Sequence, residues 1–292
     1  MDIHLVDGTY ELFRHHYGVP SHLDPRGVEV AAARGVVGSV LSMLEQGATH
    51  LGVATDQVIE SFRNDLWPGY KTSAGVPPEL LAQFPLLEDA LAALGVAVWP
   101  MVELEADDAI ATGARRFADS PSVSRVIICS PDKDLAQCVV GGRVILWDRR
   151  RRIEYDAAGV RAKWGVEPVS IPDYLALVGD SSDGFPGLPG WGAKTAAAVL
   201  SRYVSLEAIP RRASEWDVAV RGGPALAATL AERWDEVLLY RTLARLRLDA
   251  PIAERDPDEL RWDGVPRATF QDFCDEIGLV DQRTRPHRWR AG

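Results

Sequence analysis

The sequence predicts an α/β protein with a mostly parallel central sheet, followed by a helical region. Two observations carry this prediction. Short β-branched or apolar runs alternate with helix-length segments over the first half of the chain, a pattern typical of parallel strands joined by crossover helices. Beyond residue 167 the strand signal fades, and helical patterns joined by Gly/Pro turns replace it. A domain boundary is therefore expected near residue 165.

Five runs of residues predict strands, and the segments between them predict helices. Residues 30–47 and 78–95 have the apolar spacing of amphipathic helices. The first of these ends on a glycine, which commonly terminates a helix. No internal repeat or low-complexity segment interrupts the alternation. The predicted strands are residues 3–6, 50–55, 96–100, 125–130 and 143–148.

The composition fits a soluble globular protein. Hydrophobic residues make up 47% of the 292 residues and charged residues 25%, and no apolar run approaches the roughly 18 residues of a membrane span. The N-terminus lacks a basic segment followed by an apolar one, which argues against secretion. Three cysteines without CxxC spacing favour free thiols in a reducing compartment. We expect a cytoplasmic, nucleoid-associated protein.

Acidic residues follow four of the predicted strands. Carboxyl ends of parallel strands meet at one edge of a sheet, which is where sites form in open α/β folds. A single Asp is often a helix N-cap, but crowded carboxylates repel one another unless cations or protons intervene. With no His or Cys at ligand spacing, oxygen ligands favour Mg²⁺ or Mn²⁺ over zinc. The acids are Asp7, Asp56, Glu105, Asp107, Asp108, Asp132 and Asp134.

Residues 177–196, "LVGDSSDGFPGLPGWGAKTA", add two acids and a glycine-rich turn. Asp180 and Asp183 are three residues apart, and a helix beginning near Lys194 follows the turn. Such a helix-hairpin-helix could hold a phosphate, because glycines allow close approach of backbone N–H groups and the helix N-terminus attracts anions. A glycine-rich turn alone is weak evidence. The candidate phosphate-binding residues are Gly187, Gly190, Gly192, Lys194 and Thr195.

A formal net charge of −10 is unusual for a protein that binds nucleic acid. Nine of the acids would serve as metal ligands, however, so they account for most of that charge and bound cations would offset it. Local basic clusters occur at residues 149–152, at Lys194 with Arg202, and at residues 211–212. Each cluster alone could be a solvated face.

The order and spacing of five motifs resemble the 5'-nuclease family, which includes bacterial and phage flap endonucleases and the 5'-3' exonuclease domain of DNA polymerase I. The motifs are "LVDGTYELFR", "ATDQVIESFRNDLWPGYK", "EADDAIA", "SPDKDLAQ" and "YLALVGDSSDGFPGLPGWGAKTAA", and the resemblance covers residues 1–210. It implies a PIN-like catalytic domain over residues 1–165, with a helical arch near 64–95. It also implies a helical H3TH-type DNA-binding domain with C-terminal helices over 166–292.

The resemblance also implies the roles of individual residues. All nine acids, including Asp180 and Asp183, match metal ligands. Arg14, Arg63 and Lys71 match basic residues near the scissile phosphate. Tyr70 matches an aromatic residue that stacks on a base. The alternative interpretation is that Tyr70 packs in the protein interior.

The implied activity is structure-specific 5'-3' exonuclease and flap endonuclease cleavage of DNA in primer removal and repair, using two or more Mg²⁺ or Mn²⁺ ions. A K⁺ ion at the hairpin is also implied. The expected partners are DNA with 5' flaps, nicked or gapped duplexes, and free or RNA-primed 5' ends. The protein is expected to act as a monomer and not to associate with a membrane.

Three positions depart from the family pattern. No second basic residue follows Lys71 closely, Gly184 replaces a common Asn, and Glu11 stands where an aromatic residue is common. These departures concern how strongly the arch would hold a threaded 5' strand and which substrates would be preferred.

Three alternatives remain open. A haloacid dehalogenase-type phosphatase needs an Asp where Thr9 stands. A PIN-type ribonuclease would not ordinarily carry the hairpin, and a DNA-binding module without turnover would not require the complete acid set. The apolar spacing in residues 211–292 is most simply explained by core packing.

Overall fold

In the computed structural model, which describes residues 1–291, the chain forms two compact units. The first, called unit 1, comprises residues 1–59, 73–130 and 248–292, and the second, called unit 2, comprises residues 60–72 and 131–247. Each unit therefore combines segments that are distant in sequence. The domain boundary near residue 165 stays a prediction.

Unit 1 is built on four parallel strands. They are β1 (Asp2–Asp7), β2 (His50–Asp56), β3 (Ala97–Met101) and β4 (Arg125–Cys129), and they lie side by side in the order β3-β2-β1-β4. Parallel neighbours need crossover connections, and helices in the intervening sequence supply them. β2 is buried along its whole length, as expected for a strand covered on both faces. The parallel α/β core predicted from the sequence is confirmed.

The register brings the carboxyl ends of these strands to a common edge. Asp7 lies opposite Ala54 of β2, and Asp56 lies opposite Met101 of β3. Val6 lies opposite Cys129 of β4. The residues that follow each strand therefore start from the same edge of the sheet.

The helices of unit 1 pack around this sheet. The helix predicted at 30–47 is confirmed, but the one predicted at 78–95 is broken at Ala82. Pro85 explains the break, because its ring lacks an N–H and would clash with the carbonyl four residues earlier in a continuous helix. The helices are α1 (Gly8–Gly18), α2 (Ala31–Glu45), α4 (Pro78–Leu81), α5 (Gln83–Leu94), α6 (Ala106–Ala118) and α12 (Arg267–Glu276).

Unit 2 is mainly helical and contains one antiparallel strand pair. The predicted strand at 143–148 is β5 (Val144–Asp148), and its partner is β6 (Ile153–Tyr155). The sequence did not reveal β6, because three largely exposed residues carry no periodic signal. The helices are α3 (Phe62–Leu66), α7 (Ala157–Trp164), α8 (Ile171–Val178), α9 (Ala193–Tyr203), α10 (Gly223–Glu232) and α11 (Trp234–Ala244).

Across residues 1–291, every helix is too short or too polar to cross a lipid bilayer.

Candidate functional site

The first acid of unit 1 lies at the junction of β1 and α1. Asp7 is the N-cap of α1, and its Oδ1 accepts a hydrogen bond from the Tyr10 N–H at 2.8 Å. Its Oδ2 accepts one from the Ser130 hydroxyl at 2.8 Å. Ser130 directly follows β4, so this contact ties together the ends of two neighbouring strands. The carboxylate is buried and held in one orientation.

The second acid lies at the end of β2. The Oδ1 atom of Asp56 accepts a hydrogen bond from the Ala106 N–H at 2.6 Å, at the start of α6. The Asp56 N–H donates to the Thr9 hydroxyl at 2.8 Å. Asp56 therefore connects the first turns of α1 and α6 along the carboxyl edge of the sheet.

The three acids after β3 differ in exposure and role. Glu105 is the N-cap of α6. Its backbone N–H donates to Asp108 Oδ2 at 3.0 Å, which forms a capping box. Asp108 is completely buried and Asp107 is half-buried. Capping thus accounts for part of this cluster, and metal ligation by the three residues stays a prediction.

Unit 2 contains a cluster of three buried carboxylates. Asp134, Asp180 and Asp183 each offer an oxygen, and the three oxygens lie within 4.8 Å of one another. Asp134 Oδ1 is buried and receives no hydrogen bond from any residue among 1–291. Burial, together with the nearby carboxylates of Asp132 and Asp183, raises the pKa of Asp134 well above its ordinary value of 3.8. We call these three residues the acidic triad.

The neighbours of the acidic triad reduce but do not remove its repulsion. The Lys133 ammonium lies 2.5 Å from Asp180 Oδ2 and 4.0 Å from Asp134 Oδ1. Burial alone would lower the pKa of Lys133, but the carboxylates of Asp134, Asp180 and Asp132 outweigh it and raise this pKa above its usual value. Asp132 is half-buried, and its Oδ1 accepts a hydrogen bond from the Asp134 N–H at 2.8 Å. The Lys133 ammonium therefore lies close to two of the three triad carboxylates.

The acidic triad fits a hard divalent cation. Its donors are carboxylate oxygens, they are close enough to share one ion, and one of them is buried without a hydrogen-bond partner among residues 1–291. Mg²⁺ and Mn²⁺ prefer such donors. A buried unpaired carboxylate is costly unless a cation or proton compensates it.

Lys71 lies beside the acidic triad. Its ammonium is 3.2 Å from Asp183 Oδ1, and its backbone N–H donates to the Asp183 carbonyl at 3.0 Å. The side chain is 29% exposed, so it is accessible from solvent. A Cβ on Gly184 would come within 2.0 Å of the Gly69 carbonyl oxygen. The two segments that carry Lys71 and Asp183 are thus in close main-chain contact.

The other predicted phosphate contacts occupy different environments. Arg63 is completely buried, and its guanidinium donates to the carbonyls of Leu243 at 2.8 Å and Arg245 at 3.1 Å, at the end of α11. Those contacts indicate a structural role. Tyr70 is 3% exposed, which fits the packing alternative. Stacking of Tyr70 on a base and contact of Arg63 with phosphate stay predictions that would require local rearrangement.

The predicted helix-hairpin-helix is formed by α8, the turn at 179–192 and α9. Gly179 and Gly187 have positive φ angles, and a Cβ on either would lie less than 3 Å from the backbone of the opposing strand of the turn. Gly190 also has a positive φ of 85°. Only glycine combines this conformation with such close approach.

The N-terminus of α9 is open. Gly192 is its N-cap and provides no side-chain hydrogen bond, so the first amides of the helix have no side-chain cap. Lys194 is exposed and Thr195 is half-buried in that first turn. Uncapped amides at a helix N-terminus attract anions, and phosphate binding by these residues stays a prediction.

Three further residues take part in these sites and were not assigned a role from the sequence. Ser130 orients Asp7, Lys133 partly neutralises the acidic triad, and Glu11 pairs with Arg14. Lys133 has a visible signal, because it stands between the two acids of "SPDKDL". Ser130 could not have been found from spacing, since its partner is 123 residues away.

Comparison with protein families decides the classification. Residues 2–165 match the model of the 5'-3' exonuclease N-terminal, resolvase-like domain. Residues 166–268 match that of the 5'-3' exonuclease C-terminal SAM fold. The chain belongs to the 5'-3' exonuclease family. This membership confirms the nuclease class and the fold predicted from the sequence.

The related proteins are longer than this exonuclease-family chain. It is 35% identical over 258 residues to DNA polymerase I of Rhizobium leguminosarum, covering 85% of this chain and 25% of that protein. It is 32% identical over 281 residues to DNA polymerase I of Bacillus caldotenax, covering 94% of this chain and 31% of that protein. The chain thus spans between a quarter and a third of the length of these relatives.

Solved structures share the fold. The bacteriophage T5 flap endonuclease, in a pseudo-enzyme-product complex with DNA and metal ions, aligns with a TM-score of 0.67 at 19% identity, covering 95% of this chain and all of that one. T5 5'-exonuclease with bound zinc ions has the same TM-score at 18% identity, with 95% and 100% coverage. The catalytic core of Rad2 with DNA aligns at 0.59 and 15% identity, covering 94% and 87%. At these identities the alignments show a shared fold, and the observation of this chain that fits a divalent cation is the acidic triad.

Proposed function

We propose that this chain is a structure-specific 5' nuclease that hydrolyses phosphodiester bonds of DNA with the help of Mg²⁺ or Mn²⁺. The observation that carries the proposal is the acidic triad of Asp134, Asp180 and Asp183, a buried and only partly neutralised oxygen cluster. Family membership supports it, and so do the DNA and metal ions in the T5 flap endonuclease structure. The other six acids predicted from the sequence are kept as proposed ligands.

In this proposal the triad carboxylates hold a divalent cation through their oxygens. When bound, such cations activate water for attack and stabilise the departing oxygen of a phosphodiester. Lys71 would donate to a phosphate oxygen, which is supported by the contact of its ammonium with Asp183 and by its accessibility to solvent. A positive group in that position stabilises charge that develops in the transition state.

The hairpin would bind the duplex away from the cleaved bond. The uncapped amides of α9 and the exposed Lys194 would contact phosphates, an interaction that weakens with salt. We further propose K⁺ at hairpin carbonyls, action as a monomer, and 5' flaps, nicked or gapped duplexes and RNA-primed 5' ends as substrates. Family resemblance supports these finer assignments, and primer removal and repair would be the corresponding processes.

A cleavage assay tests the proposal. Labelled 5'-flap and nicked duplexes are incubated with the chain in Mg²⁺, in Mn²⁺ and in EDTA. We expect cleavage that leaves 5'-phosphate products, requires the divalent ion, and is abolished by Asp134→Asn. The matched control is Asp217→Asn, which makes the same change at an exposed carboxylate paired with Arg202. Cleavage that persists in EDTA, or that Asp134→Asn leaves intact, would contradict the proposal.

A further inference from the structure

One face of α1 links the acidic edge of unit 1 to a basic residue. Asp7, Glu11 and Arg14 are spaced at i, i+4 and i+7, so they share a face of the helix. Asp7 is the N-cap, and Arg14 lies about 10 Å further along the axis at 1.5 Å per residue. A phosphate next to one bound near Asp7 would therefore be within reach of the Arg14 side chain.

Glu11 occupies the buried middle of this face. Its side chain is 4% exposed, and its Oε2 lies 2.5 Å from Arg14 Nη2. The Ser39 hydroxyl donates to the same Oε2 at 3.4 Å. A buried carboxylate is unfavourable unless it is paired; the Arg14 guanidinium pairs with Glu11 at 2.5 Å, and His15 Nε2 lies 3.7 Å from the same oxygen.

The environment of Arg14 also restricts its motion. Its Nη2 atom lies 2.7 Å from His15 Nε2. A guanidinium has no acceptor, so this His15 nitrogen accepts the hydrogen bond. The Arg14 side chain is 30% exposed. It is thus anchored at one guanidinium nitrogen by two neighbours while part of it still faces solvent.

We propose that Glu11 is a positioning residue that fixes Arg14 in the orientation needed to contact a DNA phosphate. The inference rests on the proposed nuclease function. The pair carries no net charge, so Glu11 cannot raise the general attraction for DNA. Its contribution is orientation, because it holds the guanidinium in the position that the contact needs when the phosphate reacts.

A positioning role for Glu11 predicts different effects on the rate of cleavage and on the affinity for DNA. Loss of orientation should lower the cleavage step, since small misplacement of a contact group can cost about 10²-fold in rate. The DNA dissociation constant should stay constant or fall slightly, because removing Glu11 also removes a negative charge. Glu11→Gln keeps an oxygen acceptor for Arg14, and it should restore most of the rate.

The experiment is a double-mutant cycle on a 5'-flap duplex under single-turnover conditions. We expect Glu11→Leu to reduce the cleavage rate constant at least tenfold, with Glu11→Gln within about threefold of wild type. In the Arg14→Ala background, Glu11→Leu should have no further effect. The matched control is Asp2→Leu, which breaks the Asp2–Arg125 pair of 2.8 Å at the opposite end of β1 from Asp7.

Two outcomes of the cleavage measurements would overturn the inference. The first is an equal effect of Glu11→Leu on cleavage with and without Arg14, and the second is no effect at all. A urea-unfolding cycle on the same four proteins gives a readout that does not depend on cleavage, and zero coupling between positions 11 and 14 would refute the pairing. A wild-type chain that does not cleave would instead refute the proposed function.

Discussion

Replacing Asp134 with Asn should stabilise the metal-free protein while abolishing its response to divalent ions. Oxygens of the acidic triad lie within 4.8 Å of one another, and two unit charges at that separation repel by roughly 3 kcal/mol at an effective dielectric constant of about 20. The ammonium groups of Lys133 and Lys71, together with partial protonation, offset part of this energy. We therefore expect the free energy of unfolding to rise by about 1 to 2 kcal/mol at pH 8 in EDTA.

The pH dependence of this effect has a defined sign. The folded-state pKa of Asp134 is raised, so its contribution to stability is fully present below its unfolded pKa and is lost as pH rises through the folded value. The asparagine side chain of the variant does not titrate. The excess in free energy of unfolding of Asp134→Asn over wild type should therefore be small below about pH 4, where the carboxyl is protonated in both states, and larger at pH 8.

Urea denaturation followed by circular dichroism, with and without Mg²⁺, measures these differences. Wild-type protein should gain about 2.7 kcal/mol at a Mg²⁺ concentration 100 times the dissociation constant, by mass action, and Asp134→Asn should gain little. The reasoning is refuted if the variant is less stable than wild type at pH 8 in EDTA. It is also refuted if Mg²⁺ stabilises both proteins equally.

Three other changes probe the hairpin and the triad. Gly184→Ala should lower the free energy of unfolding by at least about 1 kcal/mol, because φ is +83° and the new Cβ would meet the Gly69 carbonyl at 2.0 Å. The control is Gly192→Ala, which has open space at its Cβ. An equal loss of unfolding free energy in the two variants would contradict this reasoning. Lys194→Ala should raise the duplex dissociation constant and reduce the salt slope by about 1; an unchanged slope would exclude a phosphate contact. Lys133→Met removes the ammonium 2.5 Å from a triad oxygen. Calorimetry should therefore show tighter Mg²⁺ binding, and urea denaturation should show a less stable apoprotein. An unchanged Mg²⁺ affinity would argue against charge compensation by Lys133.

The sequence predicts the sheet well because its strands are short, apolar and separated by amphipathic helices. All five predicted strands form within two residues of their expected bounds. The approach of Asp134 to Asp180 and Asp183 also follows the prediction, although ligation by these residues is still untested. Family membership confirms the nuclease class, which depended on the order of several motifs rather than on any one of them.

The burial and contacts of individual side chains could not be predicted from the sequence motifs. A motif gives the position of Arg63 but not its burial, which depends on the carbonyls of Leu243 and Arg245 some 180 residues away. Local chemistry also competes with ligation in ways that spacing does not reveal. Glu105 and Asp108 form a capping box because a helix begins there and its first amides need acceptors.

The close main-chain contact between Gly179 and Gly187 limits what the hairpin can recognise. Its curvature is fixed by main-chain atoms, so neighbouring side chains can vary without changing the geometry of the turn. Amides presented by such a turn can meet phosphates, which are chemically identical at every nucleotide. In the proposed DNA complex, any discrimination by this element would therefore come from the path of the nucleic-acid backbone, and base identity should have no influence on how the hairpin binds.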